Sequence, residues 1–262
     1  MRAWIWIIPT ILMIAFGITL SLDSLGAPEP FVTGTTTTVI TMDGTEIDSS
    51  NATTNNGTAT NMDMKHGETA NQRILLKADL SSIPSDHAII AAHIHTRIQK
   101  ALSVGDSLIS IGAYRVMNAW NETEATWNNR TTATAWNLAG AKKTYHNWNP
   151  SGGSDTTFND TAYDITSWPQ SVFSTPTVAS VGDTIRWDVT FAVRKWHSGQ
   201  WENNGLMLAY IIKPDWVSSA IQGPVVKMKS DDDASADNRP KLTVTSAPLR
   251  GRGVAMGRRR AQ

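Results

Sequence analysis

Short runs rich in Ile, Val and Thr recur along the chain, and clusters of Gly, Asn, Asp and Pro separate them. In several runs polar and apolar residues alternate, a pattern typical of a strand with one buried face. In one run, Ile89–Ile98, alternation places Ala92, Ile94, Thr96 and Ile98 on one face and His93, His95, Arg97 and Gln99 on the other. The pattern predicts strands at Thr36–Met42, Thr60–Lys65, Arg73–Asp79, Ile89–Ile98, Ser107–Val116, Thr184–Asp188, Leu206–Tyr210, Val225–Lys229 and Lys241–Thr245.

Helical periodicity is scarce beyond the N-terminal apolar run. The exception is Val189–Trp201, where Val189, Val193 and Trp196 fall at helical spacing before Gly199. Asn128–Pro169 is a long segment rich in Asn and Gly, and long loops of this kind carry function or disorder. These patterns predict an all-β fold, a jelly-roll β-sandwich of two antiparallel sheets with at most a short crossover helix.

The two ends of the chain differ from its body. Arg2, the apolar run 3–20 and the small residues after it predict a signal peptide over 1–26, followed by a linker over 27–34. The alternative is an uncleaved membrane anchor formed by residues 3–20. Residues 35–246 form the predicted sandwich domain. The tail 247–262 holds five Arg and no acid, and its few apolar residues predict a disordered basic end.

Composition narrows the range of functions that the chain can have. The 23 Lys and Arg balance 23 Asp and Glu, but the arginine-rich tail leaves an excess of acid on the body, which excludes a general nucleic-acid binder. With no Cys, the chain has neither disulfides nor a thiolate metal site, so its stability must come from a packed core. Eleven Trp supply core volume and surfaces on which sugar rings can stack. Sequons suited to an extracellular glycoprotein begin at Asn51, Asn56, Asn121, Asn129 and Asn159.

Three segments have the order and spacing of a known family's signatures. The first is Gln72–Pro84, which reads QRILLKADLSSIP and has Ala78 where the family has Phe. The second is Ala119–Asn128, with Thr123 in place of Gly and with Trp120, Glu122, Glu124, Ala125, Thr126 and Trp127 at matching positions. The third begins at Trp187-Asp188-Val189-Thr190 and continues through Trp196, Gly199, Asn204, Gly205 and Leu206 to Arg239–Leu242.

Together these segments resemble the DNRLRE-domain family, also classed as carbohydrate-binding module family 96, over roughly residues 35–245. The resemblance implies a jelly-roll sandwich, export and, for some members, binding of acidic polysaccharides such as alginate through basic residues. Many relatives are modules of surface or adhesive proteins. Because a fold does not determine its ligand, the binding residues need an argument of their own.

Basic side chains recur at alternating positions of predicted strands, namely at Lys65, Arg73, Lys77, His93, His95 and Arg97. If these strands share one exposed face, the cations line a shallow groove that pairs with the carboxylates of an acidic glycan. The alternative is a solvated face with scattered charges. Trp148 and Trp201, together with Trp136 and Trp216, lie among polar residues and are candidates for sugar stacking or for anchoring loops. Trp127, Trp187 and Trp196 have apolar neighbours and are predicted in the core.

No cofactor is required by the sequence, although oxygen ligands suited to a structural Ca²⁺ occur at Glu122, Glu124, Asp160, Asp164 and in the run Asp231–Asp233. The run Asp231–Asp233 can also be interpreted as a solvated loop. His93 and His95 lack a third ligand nearby in sequence, which argues against zinc. The sequence has no nucleophile elbow, metal-binding helix or phosphate loop, which indicates a protein without enzymatic activity; a lyase acting through His, Tyr and Arg stays open.

The favoured function is a secreted, extracellular, non-catalytic carbohydrate-binding module for an acidic, alginate-like polysaccharide. It has no specific nucleic-acid partner, and it meets a membrane only if the leader is uncleaved. The alternative is a structural or adhesive module of a cell surface or virion that binds no free glycan.

Overall fold

The computed structural model describes residues 34–65, 70–99, 109–141, 164–166, 169–175, 181–211 and 225–249. Within these ranges the predicted all-β fold is confirmed: twelve strands accompany one short α-helix. The strands are β1 (Thr36–Asp48), β2 (Asn61–Met64), β3 (Gln72–Ala78), β4 (His87–Arg97), β5 (Ile109–Arg115), β6 (Asn129–Thr131), β7 (Thr134–Ala135), β8 (Ser171–Thr175), β9 (Thr184–Asp188), β10 (Leu206–Tyr210), β11 (Val226–Lys229) and β12 (Lys241–Pro248). The helix α1 is Thr190–His197, and none of the described helices is long and apolar enough to span a membrane.

Strand β1 is long enough to take part in two antiparallel sheets. Its first half, residues 36–41, pairs with β12, and its second half, residues 42–48, pairs with β3. Sheet A, as we name it, contains the first half of β1 followed by β12, β4 and β9. Sheet B contains the second half of β1 followed by β3, β10, β5 and β8. This arrangement is consistent with the predicted β-sandwich.

The main core lies between the two sheets. Sheet A contributes Ile94, Trp187 and Leu242, and sheet B contributes Ile74 and Leu76, all of which are almost fully buried. The indole Nε1 of Trp187 donates to the carbonyl of Ile111 at 3.2 Å and so links the sheets. Each large apolar side chain buried in this way contributes about 1.5–3 kcal/mol to stability.

A second core covers the outer face of sheet B. The covering residues, 117–141, are called the cover segment below, and they include the short β6–β7 hairpin. Trp120, Trp127 and Trp136 from this segment pack on Ile47 and Leu75 of the sheet. This part of the predicted loop Asn128–Pro169 is therefore built into the fold, while most of the remainder lies outside the described residues.

A glycine lets the cover segment close over Trp127. Gly140 has φ +84°, and a Cβ at that position would lie 2.5 Å from Cζ2 of the Trp127 ring. Any larger residue would be strained by its backbone conformation and would also push the indole away from the sheet. Gly140 therefore determines how closely the cover segment approaches sheet B.

The predicted helix is confirmed as α1, and it protects an edge of β4. Strand β9 ends at Asp188 opposite His93, so the earlier part of β4 lacks a strand partner on that side. Arg194 on α1 donates from Nε to Ile89 O at 2.8 Å and from Nη2 to Ile90 O at 3.0 Å. These bonds satisfy carbonyls that an exposed strand edge would leave open to other chains.

Candidate functional site

The outer face of sheet A carries a row of basic side chains. Lys241, His95 and Arg186 lie opposite one another on β12, β4 and β9. Their neighbours Leu242, Ile94 and Trp187 point into the core, so alternation turns the three basic residues outward. Neighbouring strands are about 4.8 Å apart, which spaces the row at roughly one sugar unit per strand.

Two further basic residues of β4 extend this row along the strand, and the set is called the cationic face: His93, His95, Arg97, Arg186 and Lys241. Arg97 and Arg186 are exposed, whereas the other three are half-buried. Lys241 also lies 3.6 Å from the exposed carboxylate of Asp237. Asp188, opposite His93, places one acid among the cations. The face is partly exposed to solvent, and it carries more positive than negative groups.

The two histidines differ from the other cations in charge. Burial lowers the pKa of His93 and of His95 below the usual histidine range, and the positive charge of Arg186 lowers both further. Their rings lie 6.4 Å apart. Near neutral pH both rings are therefore neutral, and each can donate one hydrogen bond and accept another. The fixed positive charge comes from Arg97, Arg186 and Lys241.

The remaining predicted cations do not join this face, because β3 and β4 belong to different sheets. Arg73 lies on the outer face of sheet B, where its guanidinium is 5.2 Å from the centre of the Trp127 ring and Nη1 donates to Gly140 O. Lys77 follows on the same face beside Asp43, and Lys65 lies next to β2, opposite Gln72. The condition that all six share one sheet face is not met. Arg73 and Lys77 share the outer face of sheet B, and a binding role for these two and for Lys65 stays a prediction.

The predicted tryptophans divide into core residues and one accessible ring. Trp127, Trp187 and Trp196 are buried, as predicted. Trp136 is only 4% exposed, and its Nε1 donates to Thr126 O at 2.9 Å, so its candidacy for sugar stacking is wrong. Trp201 is half-buried, with the Arg115 guanidinium 4.1 Å above its ring. Trp148 and Trp216 lie outside the described residues.

Three carboxylates meet where the cover segment reaches β1. One oxygen from each of Asp43, Glu122 and Asp231 lies within 4.8 Å of the other two. Glu122 Oε1 accepts from Gly44 N at 2.8 Å, and Asn55 Nδ2 holds the Glu122 carbonyl at 2.7 Å. Beside them is a depression of about 250 Å³, lined by Asp43, Lys77, Trp120, Asn121, Glu122 and Thr123.

These carboxylates repel one another and are only partly hydrated. Burial, with smaller contributions from nearby Asp231 and Asp43, raises the pKa of Glu122 to about 7. Burial also raises the pKa of Asp231, whose Oδ1 is buried and has no hydrogen-bond partner in the described structure. A proton or a hard cation would relieve the repulsion, and Ca²⁺ prefers oxygen ligands of this kind.

The other predicted calcium ligands have structural partners. Glu124 Oε2 accepts from Thr132 N at 2.7 Å. Asp164 is fully buried and accepts from Asn118 Nδ2 and Leu138 N, both at 2.9 Å. Asp160 lies outside the described residues. In the described ranges, the carboxylates that meet Glu122 are Asp43 and Asp231, and structural calcium stays a prediction at this position.

Sequence reasoning missed Arg186, Lys241 and Asp43. Alternation along each strand already turned Arg186 and Lys241 outward, but it could not show that β9 and β12 flank β4. Asp43 was missed because the predicted first strand ended at Met42, whereas β1 continues to Asp48. The missing information was long-range pairing for Arg186 and Lys241 and the length of β1 for Asp43.

An all-β sandwich with an open, polar sheet face is an architecture used by binding modules. The model of carbohydrate-binding module family 96 matches residues 35–150, which include β1–β7. This match confirms the resemblance to that family over residues 35–150, and the family suggests a carbohydrate-binding module; the third signature segment, which begins at Trp187, lies beyond the matched range. No curated protein matches the chain.

Proposed function

We propose that the protein is an exported, non-catalytic module that binds an acidic polysaccharide on the cationic face. The observation that carries this proposal is the row of Lys241, His95 and Arg186 across three paired strands, continued by Arg97 along β4. The family match supports carbohydrate as the ligand class. The positive charge of the face favours a polyuronate such as alginate or pectate over a neutral glycan.

The side chains suit the two kinds of group on such a polymer. Arg97 and Arg186 can each pair with a carboxylate through two parallel hydrogen bonds. The neutral rings of His93 and His95 can exchange hydrogen bonds with hydroxyls. An exposed charge pair contributes less than about 1 kcal/mol, so affinity must come from several contacts along an extended chain.

Calorimetry at low salt with alginate, pectate, a sulfated glycan and a neutral glucan tests this proposal. The double variant Arg97→Gln with Arg186→Gln should bind alginate about ten-fold more weakly, since it loses two exposed charge pairs. The matched control is Arg130→Gln with Lys227→Gln, which removes the same charge from other surfaces. Lys227 forms a 3.2 Å ion pair with Asp63, and Arg130 donates to Ala119 O at 2.8 Å; both cations are half-buried.

Equal weakening by the two double variants would show that only net charge matters and would contradict the assignment to this face. If the unaltered protein binds none of the acidic glycans at low salt, the structural or adhesive alternative takes the place of this proposal. Release of unsaturated sugar products from alginate would contradict the non-catalytic part. An intact N-terminus starting at Met1 on exported material would contradict cleavage near residue 27.

A further inference from the structure

We propose that Phe191, Trp201, Arg115 and Lys195 form a second sugar subsite, called the aromatic platform, at the α1 end of the fold. This inference rests on the proposed function, because it takes a unit of the same acidic glycan as its ligand. It adds a contact of a different physical kind, an aromatic surface. The cationic face has no aromatic ring other than its two histidines.

An exposed aromatic ring marks this place. Phe191 is 57% exposed on α1, although it is a large apolar side chain. Trp201 meets it edge-to-face, with the ring centres 5.4 Å apart at 80°. Lys195, one turn further along α1, lies 5.5 Å from the centre of the Phe191 ring. The cluster combines an apolar surface with a cation at its rim, an arrangement found in sites for ligands that are partly apolar and partly charged.

An unused hydrogen-bond donor lies beside the rings. Arg115 is the last residue of β5, and its guanidinium stacks 4.1 Å from the centre of the Trp201 ring. Its Nε is buried and has no acceptor among the described residues. Leaving such a donor unpaired destabilises the folded protein. Arg115 as a whole is only half-buried, so a ligand oxygen would accept from the part of its guanidinium that solvent reaches rather than from Nε.

A uronic acid unit fits these groups better than a wholly apolar ligand does. The C–H face of its ring can lie on Phe191, while its carboxylate and hydroxyls accept from Arg115 and Lys195. Lys195 Nζ already donates to Gln200 Oε1 at 2.6 Å, but an ammonium group has two further donors. Arg115 and Lys195 outnumber the nearby acid Glu202, so the platform attracts an anionic sugar.

The platform follows the cationic face directly along the chain. Strand β9 ends at Asp188 on that face, and α1 begins at Thr190, whose Oγ1 lies 2.6 Å from Asp188 Oδ1. Because α1 starts from the edge of sheet A, we expect one long glycan chain to reach both surfaces. Tests with short and long oligosaccharides therefore distinguish one continuous track from two independent sites.

The test is calorimetry with alginate oligosaccharides and the variant Phe191→Ala, measured at low salt and at about 1 M NaCl, where the screening length is about 3 Å. Loss of the aromatic contact should weaken binding about three- to ten-fold at both salt concentrations. Phe191→Tyr should restore most of the affinity. The control Leu249→Ala, at a residue 49% exposed, removes a comparable apolar side chain elsewhere and should leave binding unchanged.

The outcomes separate this inference from the proposed function. If Phe191→Ala has no effect while Arg97→Gln with Arg186→Gln weakens binding, the platform is wrong and the cationic face stands. If only Phe191→Ala weakens binding, the platform stands and the cationic face is wrong. If Leu249→Ala weakens binding equally, or Phe191→Tyr fails to restore it, the effect is not aromatic stacking and the platform is overturned. A protein that binds no glycan overturns both.

Discussion

The outer faces of the two sheets follow the same alternation, yet one is open and the other is covered. On sheet A, Val39 is 59% exposed and lies among Thr, His and Arg side chains. On sheet B, Ile47 and Leu75 are fully buried beneath three tryptophans. Strand alternation therefore predicts which side chains share a face, but the contact with a distant segment decides whether that face meets solvent.

The residue pattern of the strands shows part of this difference between the two sheets. Strands of sheet B have apolar residues on both faces, as in the continuous run Ile74–Leu76, which is typical of a strand buried on both sides. On sheet A the outward positions are mostly polar, with Val39 as an exception, and β4 from Ala92 to Arg97 alternates between the two kinds of residue. The same comparison separates Arg73, which holds the cover segment, from Arg97, which is free to meet a ligand.

The largest expected loss of stability comes from removing the side chain of Trp127 from the cover segment. Trp127→Ala should lower the free energy of unfolding by about 3–5 kcal/mol, because it leaves a large cavity between the cover segment and sheet B. Val39→Ala on the open face should change it by less than about 0.5 kcal/mol. Urea unfolding followed by circular dichroism measures both. Similar losses for the two variants would refute the contrast between the faces.

Arg73 and Arg97 should affect different properties. Arg73→Gln should lower the free energy of unfolding by about 1–3 kcal/mol, since it removes the bond to Gly140 O and the contact with Trp127. Glycan affinity should stay unchanged. Arg97→Gln should weaken glycan binding and leave stability nearly unchanged. Paired unfolding and calorimetry experiments on the two variants check this, and weaker binding by a fully folded Arg73→Gln variant would restore sheet B as a ligand surface.

A smaller effect on stability is expected from the carboxylate cluster of Asp43, Glu122 and Asp231 at the edge of the cover segment. The pKa of Glu122 is raised from 4.5 to about 7, so the folded state binds this proton more tightly than the unfolded state does. The stability that protonated Glu122 contributes is fully present below about pH 4.5, and it is lost as the pH rises through 7. Glu46, whose pKa is also raised to about 7 by burial, acts in the same direction. Thermal unfolding between pH 5 and pH 8 should show a falling melting temperature, and Asp231→Asn should reduce the fall.

Calcium gives the same cluster a second test. If Asp43, Glu122 and Asp231 bind Ca²⁺, the ion should raise the melting temperature at pH 8, which is above the raised pKa of Glu122, and a chelator should reverse the change. Asp231→Asn should abolish most of that shift. The calcium prediction fails if Ca²⁺ has no effect on the unaltered protein or shifts both proteins equally.

Much of the fold was predictable because strand formation is governed by local patterns. All nine predicted strands correspond to observed strands in the described residues, and the helix was recognised from Val189, Val193 and Trp196. Strands β6, β7 and β8 were missed because they are short and lie in or just after an Asn- and Gly-rich stretch. The six proposed cations could not be divided between two sheets, since the order β12-β4-β9 depends on pairing between distant segments. Phe191 and Arg115 were missed for the same reason.

The smallest predicted effect concerns the histidines of the open face. Burial and Arg186 lower the pKa of both His93 and His95 below 6.5, so they gain charge only under more acidic conditions than an ordinary histidine does. Affinity for alginate should therefore stay flat from pH 8 to pH 6.5 and rise about two-fold at more acidic pH, where the two half-buried rings gain positive charge.

Two sets of variants check the origin of this increase. His93→Gln with His95→Gln should remove it, as measured by calorimetry at constant ionic strength. Arg186→Gln should move the increase to higher pH, because it removes a positive charge that opposes protonation of both rings; NMR titration of the two imidazoles measures the same shift directly. An increase centred on pH 6.5 in the unaltered protein, with no response to Arg186→Gln, would show that these rings are not held near Arg186 on the open face.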